Sequence, residues 1–382
     1  MIVPFNRPPK LQKSLEYIED DFQNGVLRGN GGYADKCEKW LENHTGAARV
    51  MMTPSCSAAL EMAAILCNVG PGDEIIMPSY TFCSTANAFV MRGAVPVFSD
   101  VSPETMNIDT NCIEAAITER SRVIVVVHYA GVSCDMDTIM DIARRYNLLV
   151  VEDAAQGLMS TYKGKALGTM GDFGCISFHE TKNYSMGEGG ALVVNRSEMI
   201  ERAEILREKG TNRSQFLRGQ IDKYSWVDVG SSYLPGDLSA AMLLAQLEQA
   251  EIINENRMSS WHMYERLLRP LAEQGKIELP VVPKDCKMNG HIFYIKTKDI
   301  EERTSLIDYL KQAGVVALFH YVPLHSSQAG RKYGRFAGQD CYTTTESNRL
   351  VRLPMFYGLT KEQLHFVVQC IFDFYHISTP DD

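Results

Sequence analysis

Short apolar runs alternate with stretches of helical spacing over residues 50–194, and this alternation limits the possible folds more than any other feature. Several runs are apolar almost throughout, as expected for strands buried on both faces of a sheet. The stretches 57–67, 137–146 and 197–209 repeat apolar residues at helical spacing, and Gly210 ends the last one as a helix stop. The pattern predicts an α/β fold with a mainly parallel sheet. The predicted strands are 50–52, 74–77, 95–98, 122–127, 148–152, 175–178 and 191–194.

The pattern changes after residue 237. A long helical run at 238–257 is followed by a mixture of helices and strands, without a Pro/Ser-rich linker. We therefore predict two tightly packed domains, a large α/β domain at 1–237 with an N-terminal segment and a smaller α+β domain at 238–382. The later elements are predicted as helix 260–273, strand 292–296, helix 303–313, strand 315–319, and helices 345–351 and 361–374.

Composition excludes several classes of protein. The 382 residues carry a net charge of −9 and no lysine/arginine block, which argues against a nucleic-acid or anionic-membrane partner. No segment reaches the ~20 apolar residues of a membrane span, and the N-terminal residues lack the pattern of a signal peptide, so we expect a cytoplasmic protein. The ten cysteines are scattered without a CxxC pair, which predicts reduced thiols and neither a disulfide framework nor a metal site.

Two candidate catalytic residues follow neighbouring predicted strands, at the sheet edge where α/β proteins bind ligands. Asp153 follows strand 148–152, where a carboxylate can keep a pyridine nitrogen protonated, although an ordinary helix N-cap is the simpler interpretation. Lys182 follows strand 175–178, where burial would lower its pKa toward that of an amine nucleophile. A single lysine is usually a solvated surface residue, so the hypothesis depends on the two residues together.

The segment 53–57 offers a candidate phosphate site. It follows a predicted strand and opens a helix, whose free N–H groups suit an anion, and Ser57 could add a hydroxyl. Simple serine capping is an equally good interpretation. Ser177 is a second possible phosphate ligand, and either Tyr80 or Phe82 could stack on a flat ring or belong to the core.

Taken in order, these segments resemble the DegT-type sugar aminotransferases, which are fold-type-I enzymes dependent on pyridoxal phosphate. The resemblance covers nearly the whole chain and implies an aspartate aminotransferase-like fold. It is carried by TPSCSAALE at 53–61, PGDEIIMPSYTF at 71–82, VVEDAAQG at 150–157, SFHETKNYSMGEGG at 177–190 and FHYVPLH at 319–325. Within the family, VHYAG at 127–131, EDAAQGLMSTYKGKALGT at 152–169, REKGTNRSQ at 207–215 and DVGSSYL at 228–234 are most similar to dTDP-4-amino-4,6-dideoxygalactose transaminases of enterobacterial common antigen biosynthesis.

The resemblance implies roles for individual residues. Lys182 would be the Schiff-base lysine and Asp153 the partner of the pyridine nitrogen. The other implied cofactor contacts are Gln156 near the ring and its hydroxyl, Phe82 stacked on the ring, and Cys56, Ser57 and Ser177 at the phosphate. His320 and His325 fall in the family's sugar-binding region, and Arg213 is a candidate for the donor's carboxylate. Ser232 stands where many members place an asparagine that contacts the cofactor phosphate of the partner subunit. A serine is shorter and would hold that phosphate less directly, and the resemblance implies a homodimer with active sites at its interface.

The implied reaction moves the amino group of L-glutamate, through pyridoxamine phosphate, to C4 of dTDP-4-keto-6-deoxy-D-glucose. The products would be dTDP-4-amino-4,6-dideoxy-D-galactose and 2-oxoglutarate. The gluco isomer and amination at C3 of a related nucleotide keto sugar remain alternatives.

Three other functions are less consistent with the sequence. A sugar dehydratase of this fold replaces the lysine with histidine, whereas this chain has Lys182. A nicotinamide oxidoreductase needs a glycine fingerprint between a strand and a helix, which neither 29–32 nor 187–190 provides. A catalytically dead regulatory paralogue would have no need of both Asp153 and Lys182.

Overall fold

The computed structural model describes residues 1–25 and 27–378. Within these ranges the helices are Gln12–Asn24 (α1), Gly32–Thr45 (α2), Cys56–Leu66 (α3), Cys83–Val90 (α4), Thr110–Ala116 (α5), Met136–Tyr146 (α6), Ile200–Arg207 (α7), Arg213–Leu217 (α8), Asp237–Leu247 (α9), Ala250–Glu273 (α10), Ile300–Gln312 (α11), Gln328–Tyr333 (α12), Thr343–Arg349 (α13) and Lys361–Phe374 (α14). The strands are Arg49–Thr53 (β1), Glu74–Pro78 (β2), Val95–Ser99 (β3), Ser121–Val127 (β4), Leu149–Asp153 (β5), Thr161–Tyr162 (β6), Lys165–Ala166 (β7), Phe173–Ser177 (β8), Gly190–Val194 (β9), Cys286–Lys287 (β10), Phe293–Lys296 (β11), Arg335–Phe336 (β12) and Leu350–Leu353 (β13).

An eight-stranded sheet dominates the structure, in the order β1-β9-β8-β5-β4-β2-β3-β12. Its strands are parallel except β9, which runs antiparallel to both of its neighbours. The seven predicted strands all belong to this sheet, and the α/β fold with a mainly parallel sheet is confirmed. Their β-branched and other apolar side chains are buried on both faces, which is why their sequences read as continuous apolar runs. The parallel β4–β5 register places Val127 beside Asp153, at the carboxyl edge.

Helices cover both faces of this sheet. Apolar residues of α3, α4 and α7 pack on one face. On the other face α5 and α6 cover the side of β4 and β2, and α2 and α9 cover the side of β1 and β9. A separate apolar core joins α10, α11 and α14 to the two-stranded sheet of β11 and β13, and it also includes Val3 from the N-terminal segment.

Three predictions for the C-terminal part are wrong in detail. The run 238–257 is not one helix, because helical structure is interrupted between the end of α9 at Leu247 and the start of α10 at Ala250. Helix α10 then continues through residues 260–273, which we predicted as a separate helix. Segment 315–319 forms only the isolated bridges Val3–Val315 and Leu318–Arg352. Helix α13 ends at Arg349, since Leu350 and Val351 leave it to pair with β11.

The proposed division of the chain at residue 237 stays a prediction. Helix α9 packs with α2 against the main sheet, and the second core begins with α10. Strand β12 extends the main sheet by pairing with β3, and β10 pairs with β6. Among the residues described, none of the helices has both the length and the apolar character needed to cross a membrane.

Candidate active site

A cavity of about 630 Å³ lies at the carboxyl edge of the main sheet. The loops after β1, β2, β5 and β8 converge on it, as expected for parallel strands whose carboxyl ends meet at one edge. Residues from the loop 318–321 and from β13 complete its wall. Of the residues predicted from the sequence, those that line this cavity are Cys56, Ser57, Phe82, Asp153, Gln156, Ser177, Lys182 and His320.

Asp153 is the last residue of β5 and is buried. Its Oδ2 accepts a hydrogen bond from Thr85 Oγ1 at 2.7 Å, and its Oδ1 accepts one from the Ala155 N–H at 3.1 Å. Thr85 Oγ1 is also 2.7 Å from Thr81 Oγ1, so Thr81 donates to Thr85 once the single proton of Thr85 is given to Asp153. Burial raises the pKa of Asp153, which makes its ionised form dependent on a cationic partner in the cavity.

Lys182 lies on the loop after β8, and its side chain enters the cavity. Within the described chain its Nζ has neither a hydrogen-bond acceptor nor a carboxylate within ion-pair distance. Burial lowers the pKa of Lys182, although the charge of Asp153 works in the opposite direction. A lysine in this situation holds a larger neutral fraction and is a better nucleophile and base than a surface lysine.

The N-terminus of α3 forms a part of the cavity wall that can bind an anion. Ser55 caps the helix by accepting from the Ala58 N–H at 3.1 Å, while the N–H groups of Cys56 and Ser57 have no acceptor among the described residues. Ser57 Oγ lies 2.7 Å from Ser84 Oγ at the start of α4. Gly190 is required beside this turn, because a Cβ there would lie 2.4 Å from the Cys56 nitrogen. Two free N–H groups and two hydroxyls match the acceptor oxygens of a phosphate.

Gln156 is held rigidly at the cavity wall. Its Oε1 accepts from the Ala130 N–H at 2.6 Å, and its Nε2 donates to the Tyr321 hydroxyl at 3.2 Å. The two aromatic candidates differ in environment. Tyr80 is fully buried and donates to the His320 carbonyl, whereas Phe82 is 57 % exposed and faces the cavity. Phe82 is therefore the side chain available to stack on a flat ring.

Three predicted residues lie outside the cavity in the single chain. Arg213 begins α8 and pairs with Glu208 at 3.6 Å. Ser232 forms an isolated backbone bridge with Glu208, and neither residue lines the cavity. His325 connects two segments, with Nδ1 at 2.7 Å from Ser79 Oγ and Nε2 at 3.1 Å from Asp340. Their roles at the site stay predictions.

The sequence interpretation missed several cavity residues. Arg352 on β13 lies over the Phe5 ring at 4.6 Å, and its Nε is buried without a partner in the described chain. His291 joins the wall and bonds Asn183 through Nδ1 at 2.9 Å. A charged residue inside the apolar strand of 350–353 was a usable signal for Arg352. Thr85, which donates to Asp153 and is not among the residues that line the cavity, had no comparable signal.

Comparison with known proteins identifies the family. The model of the DegT/DnrJ/EryC1/StrS aminotransferase family matches residues 10–372. The chain is 31% identical to a GDP-perosamine synthase of Caulobacter vibrioides over 81% of this chain and 82% of that protein. It is 29% identical to a UDP-4-amino-4-deoxy-L-arabinose–oxoglutarate aminotransferase of Shewanella sediminis over 97% of both proteins. The aminotransferase TlmJ from Streptoalloteichus hindustanus has a similar structure, with a TM-score of 0.89, 26% identity, and coverage of 98% of this chain and 99% of that one.

The cavity fits the pyridoxal phosphate on which this family depends. It holds a lysine amine without a partner, a buried carboxylate that needs a cation, an exposed aromatic ring and a helix N-terminus with free N–H groups. These groups match the aldehyde, the pyridine nitrogen, the ring face and the phosphate of that cofactor. The chain belongs to the DegT/DnrJ/EryC1/StrS family and is a pyridoxal phosphate-dependent sugar aminotransferase.

Proposed function

We propose that the protein transfers the amino group of L-glutamate to C4 of dTDP-4-keto-6-deoxy-D-glucose and forms dTDP-4-amino-4,6-dideoxy-D-galactose. The observation that carries the proposal is the partly buried, unpaired amine of Lys182 in one cavity with Asp153. The choice of sugar is supported by the stretches 127–131, 152–169, 207–215 and 228–234. The name of the Shewanella relative, with its 4-amino sugar and oxoglutarate, is consistent with amination at C4 and with glutamate as donor. The cytoplasmic location predicted from the sequence is part of the same proposal.

The cofactor would be held by the groups already described. Bound pyridoxal phosphate supplies an aldehyde that carries the amino group and a ring that withdraws electrons from the carbon losing its proton. Cys56 and Ser57 N–H groups would hold the phosphate, with Ser177 Oγ beside them. Asp153 would keep a proton at the pyridine nitrogen, and Thr85 would fix the orientation of its carboxylate.

Lys182 would move the proton. Its lowered pKa would let the neutral Nζ remove the Cα proton of glutamate and, as the conjugate acid, deliver that proton to the aldehyde-derived carbon of the bound cofactor. The same exchange in reverse delivers the amino group to the keto sugar. Arg352 is an arginine that lines the cavity of the single chain, so we add it to Arg213 as a candidate for binding the glutamate carboxylate.

A groove beside the cavity supports a nucleotide-linked substrate. It shares Thr81, Phe82 and Tyr321 with the cavity and continues to α12, with a volume of about 640 Å³. Lys332 on α12 lies 4.8 Å over the ring of Tyr333, which is 45 % exposed. The ammonium group suits a diphosphate and the exposed rings suit a base, so we place the nucleotide there.

A homodimer is part of the proposal. The segment 216–229 exposes apolar side chains, including Trp226 at 79 %, on a monomer surface where such groups are costly. Ser232 follows this segment and would approach the partner's cavity if the segment forms the interface. The test is to replace Trp226 with Cys and to look for a crosslink from this position to the partner's surface. A crosslink would support an interface at this segment, and its absence would contradict one.

The central test is Lys182→Ala, which should abolish turnover while the protein still folds and binds the cofactor. The control is Lys165→Ala, an exposed lysine outside the cavity, which should retain activity. Near-normal activity of Lys182→Ala would contradict the mechanism. Incubation of the wild type with dTDP-4-keto-6-deoxyglucose and glutamate, followed by NMR, should show an axial C4 amine. An equatorial C4 amine or a C3 amine would replace the proposed product.

A further inference from the structure

His291 lines the active-site cavity two residues before β11, and no step of the proposed mechanism uses its side chain. Its backbone is fixed by Arg257 on α10, a guanidinium only 1 % exposed that donates to the carbonyl oxygens of Gly290 at 3.1 Å and of His291. A titratable side chain held at the cavity wall can contact a substrate. What it can bind depends on which of its two ring nitrogens carries a proton.

The hydrogen bonds of Asn183 determine the position of that proton. Asn183 Nδ2 donates to the Asn289 carbonyl at 3.0 Å, which orients the amide so that its Oδ1 faces His291. An amide oxygen can only accept, so the 2.9 Å contact between Asn183 Oδ1 and His291 Nδ1 requires a proton on Nδ1. Asn289 is itself fixed, because its Nδ2 donates to the carbonyls of Gln156 and Leu158 at 2.8 Å each.

The ring of His291 is neutral at physiological pH. Burial lowers the pKa of His291 well below its usual range, and the positive charges of Lys182, Arg257 and Arg352 lower it further. Among the described residues, no carboxylate bonds the ring and offsets these effects. A neutral imidazole with its proton on Nδ1 has an unprotonated Nε2, which can accept a hydrogen bond and cannot donate one.

The Nε2 atom of His291 is available to a bound molecule. It has no hydrogen-bond partner among the described residues, but it is not enclosed by protein as the unpaired Nε of Arg352 is. Since His291 lines the cavity, Nε2 offers a lone pair to the molecule that fills this space. Leaving a desolvated acceptor unpaired is costly, so its natural partner is a donor on a substrate.

The two keto compounds that react in turn at the site differ in the hydrogen bonds that they can form. 2-Oxoglutarate has two carboxylates and a keto oxygen, all of them acceptors, so it has nothing to donate to Nε2 of His291. A keto sugar has ring hydroxyls, which can donate. The donors that an acid needs are present elsewhere in the cavity, on Lys182 and Arg352. A nitrogen that only accepts therefore favours the sugar over the acid.

We propose that His291 is a specificity-determining residue of the sugar half-reaction, in which its Nε2 accepts a hydrogen bond from a ring hydroxyl of the keto sugar. Asn183 is a positioning residue, because it holds the ring and keeps the proton on Nδ1. The inference rests on the proposed function for glutamate as the amino donor. It does not depend on which keto sugar is the substrate, since hydroxyls are common to sugars.

The test compares the two keto compounds on one form of the holoenzyme. Glutamate first converts the wild type and its variants to the pyridoxamine form, which is then mixed with 2-oxoglutarate or with dTDP-4-keto-6-deoxyglucose. The return of the yellow colour gives a second-order rate constant for each compound. We expect His291→Leu to lower the rate constant for the sugar about tenfold or more, and to change that for 2-oxoglutarate by less than about twofold.

Two further variants serve as controls. His291→Gln keeps a donor and an acceptor on one planar group and should recover most of the rate with the sugar. His262→Leu, at an exposed histidine on α10, should react with both compounds as the wild type does. Equal losses for the two compounds in His291→Leu, or no loss with the sugar, would overturn the proposal. If the wild type reacts with 2-oxoglutarate but not with this sugar, the proposed substrate is wrong, and the same comparison is made with a keto sugar that the wild type accepts.

A measurement without turnover tests the same assignment, even if His291→Leu does not fold. Nitrogen NMR of the histidine-labelled holoenzyme, with the signal of His291 assigned through His291→Gln, should show a neutral ring protonated on Nδ1 at about pH 7. Addition of the keto sugar to the pyridoxal form, with which it does not react, should shift the Nε2 resonance, whereas 2-oxoglutarate should not. A cationic ring, or a proton on Nε2, would contradict the proposal.

Discussion

Two buried carboxylates stand side by side at the end of β5, one on each face of the sheet. Glu152 accepts from His128 Nε2 at 2.9 Å, from the Gly168 N–H at 2.8 Å, and from the N–H groups of Met170 and Gly171 at 2.6 Å each. Since His128 Nδ1 accepts from the Cys134 N–H, the proton of the imidazole is on Nε2 and is donated to Glu152. Among the residues that the structure describes, Asp153 accepts only from Thr85 and the Ala155 N–H.

This difference distinguishes Glu152, a carboxylate with a structural role, from Asp153, a carboxylate that can take part in catalysis. Glu152 has its acceptor sites filled from its own chain, so it ties β5 to the loop 168–171. Asp153 keeps spare acceptor capacity and faces a cavity, so its charge is free to serve a ligand. Burial alone does not distinguish them, because both side chains are buried. The number of donors distinguishes them, since the described chain supplies four to Glu152 and two to Asp153.

Among substitutions of this carboxylate pair and its donor Thr85, Asp153→Asn should have the largest effect. A neutral amide holds a proton on the pyridine nitrogen poorly, and we expect kcat to fall on the order of a thousandfold, or about 4 kcal/mol in the barrier. The variant should fold as well as the wild type. A rate within a few-fold of wild type in steady-state assays would remove Asp153 from the mechanism.

The pH dependence of folding stability gives a second test of Asp153, again with the Asp153→Asn variant. Burial raises the pKa of Asp153 above its unfolded value, so ionisation costs folding free energy. Stability of the cofactor-free protein should therefore fall as pH rises through the folded pKa of Asp153, and Asp153→Asn should lack that loss. Thermal melts of both proteins between acidic and neutral pH measure this, and parallel curves would contradict it.

Glu152→Gln should give the opposite result. Its amide nitrogen would face two of the four donors, so we expect a loss of about 2–4 kcal/mol in the free energy of unfolding. The remaining folded protein should keep most of its kcat, because Glu152 faces away from the cavity. Urea unfolding and activity assays on the same preparation of Glu152→Gln measure both quantities. A large loss of kcat with unchanged stability would contradict the structural role of Glu152.

Thr85→Val should have the smallest effect of the three. It removes a donor to the Asp153 carboxylate, so the pKa of Asp153 should rise further and the acid limb of kcat/KM should move upward by about one pH unit. Thr85→Ser keeps the hydroxyl and should restore the wild-type profile. If Thr85→Val and Thr85→Ser give the same pH profile of kcat/KM, the hydroxyl has no influence on Asp153.

The sequence predicted the sheet well because its strands are buried on both faces and are bounded by helices of clear periodicity. It predicted the cavity lining from the loops that follow those strands, since the carboxyl ends of parallel strands meet. It missed Thr85 and His291, because their contacts join segments far apart in the chain and have no local signature. It missed the end of α13 at Arg349, because β13 exists only through its pairing with β11. The roles expected of Ser232 at the phosphate and of Arg213 at the donor's carboxylate stay predictions.

Strand β12 has a consequence for biosynthesis of the chain. Arg335 and Phe336 pair with Val97 and Phe98 of β3, and Arg335 also binds Glu74 at 2.9 Å. Until residue 336 has left the ribosome, β3 is an open edge of the sheet, and such edges recruit other strands. The long sequence separation makes this pairing a late event in folding. A chain terminated before residue 335 should therefore aggregate, however well its first two hundred residues fold.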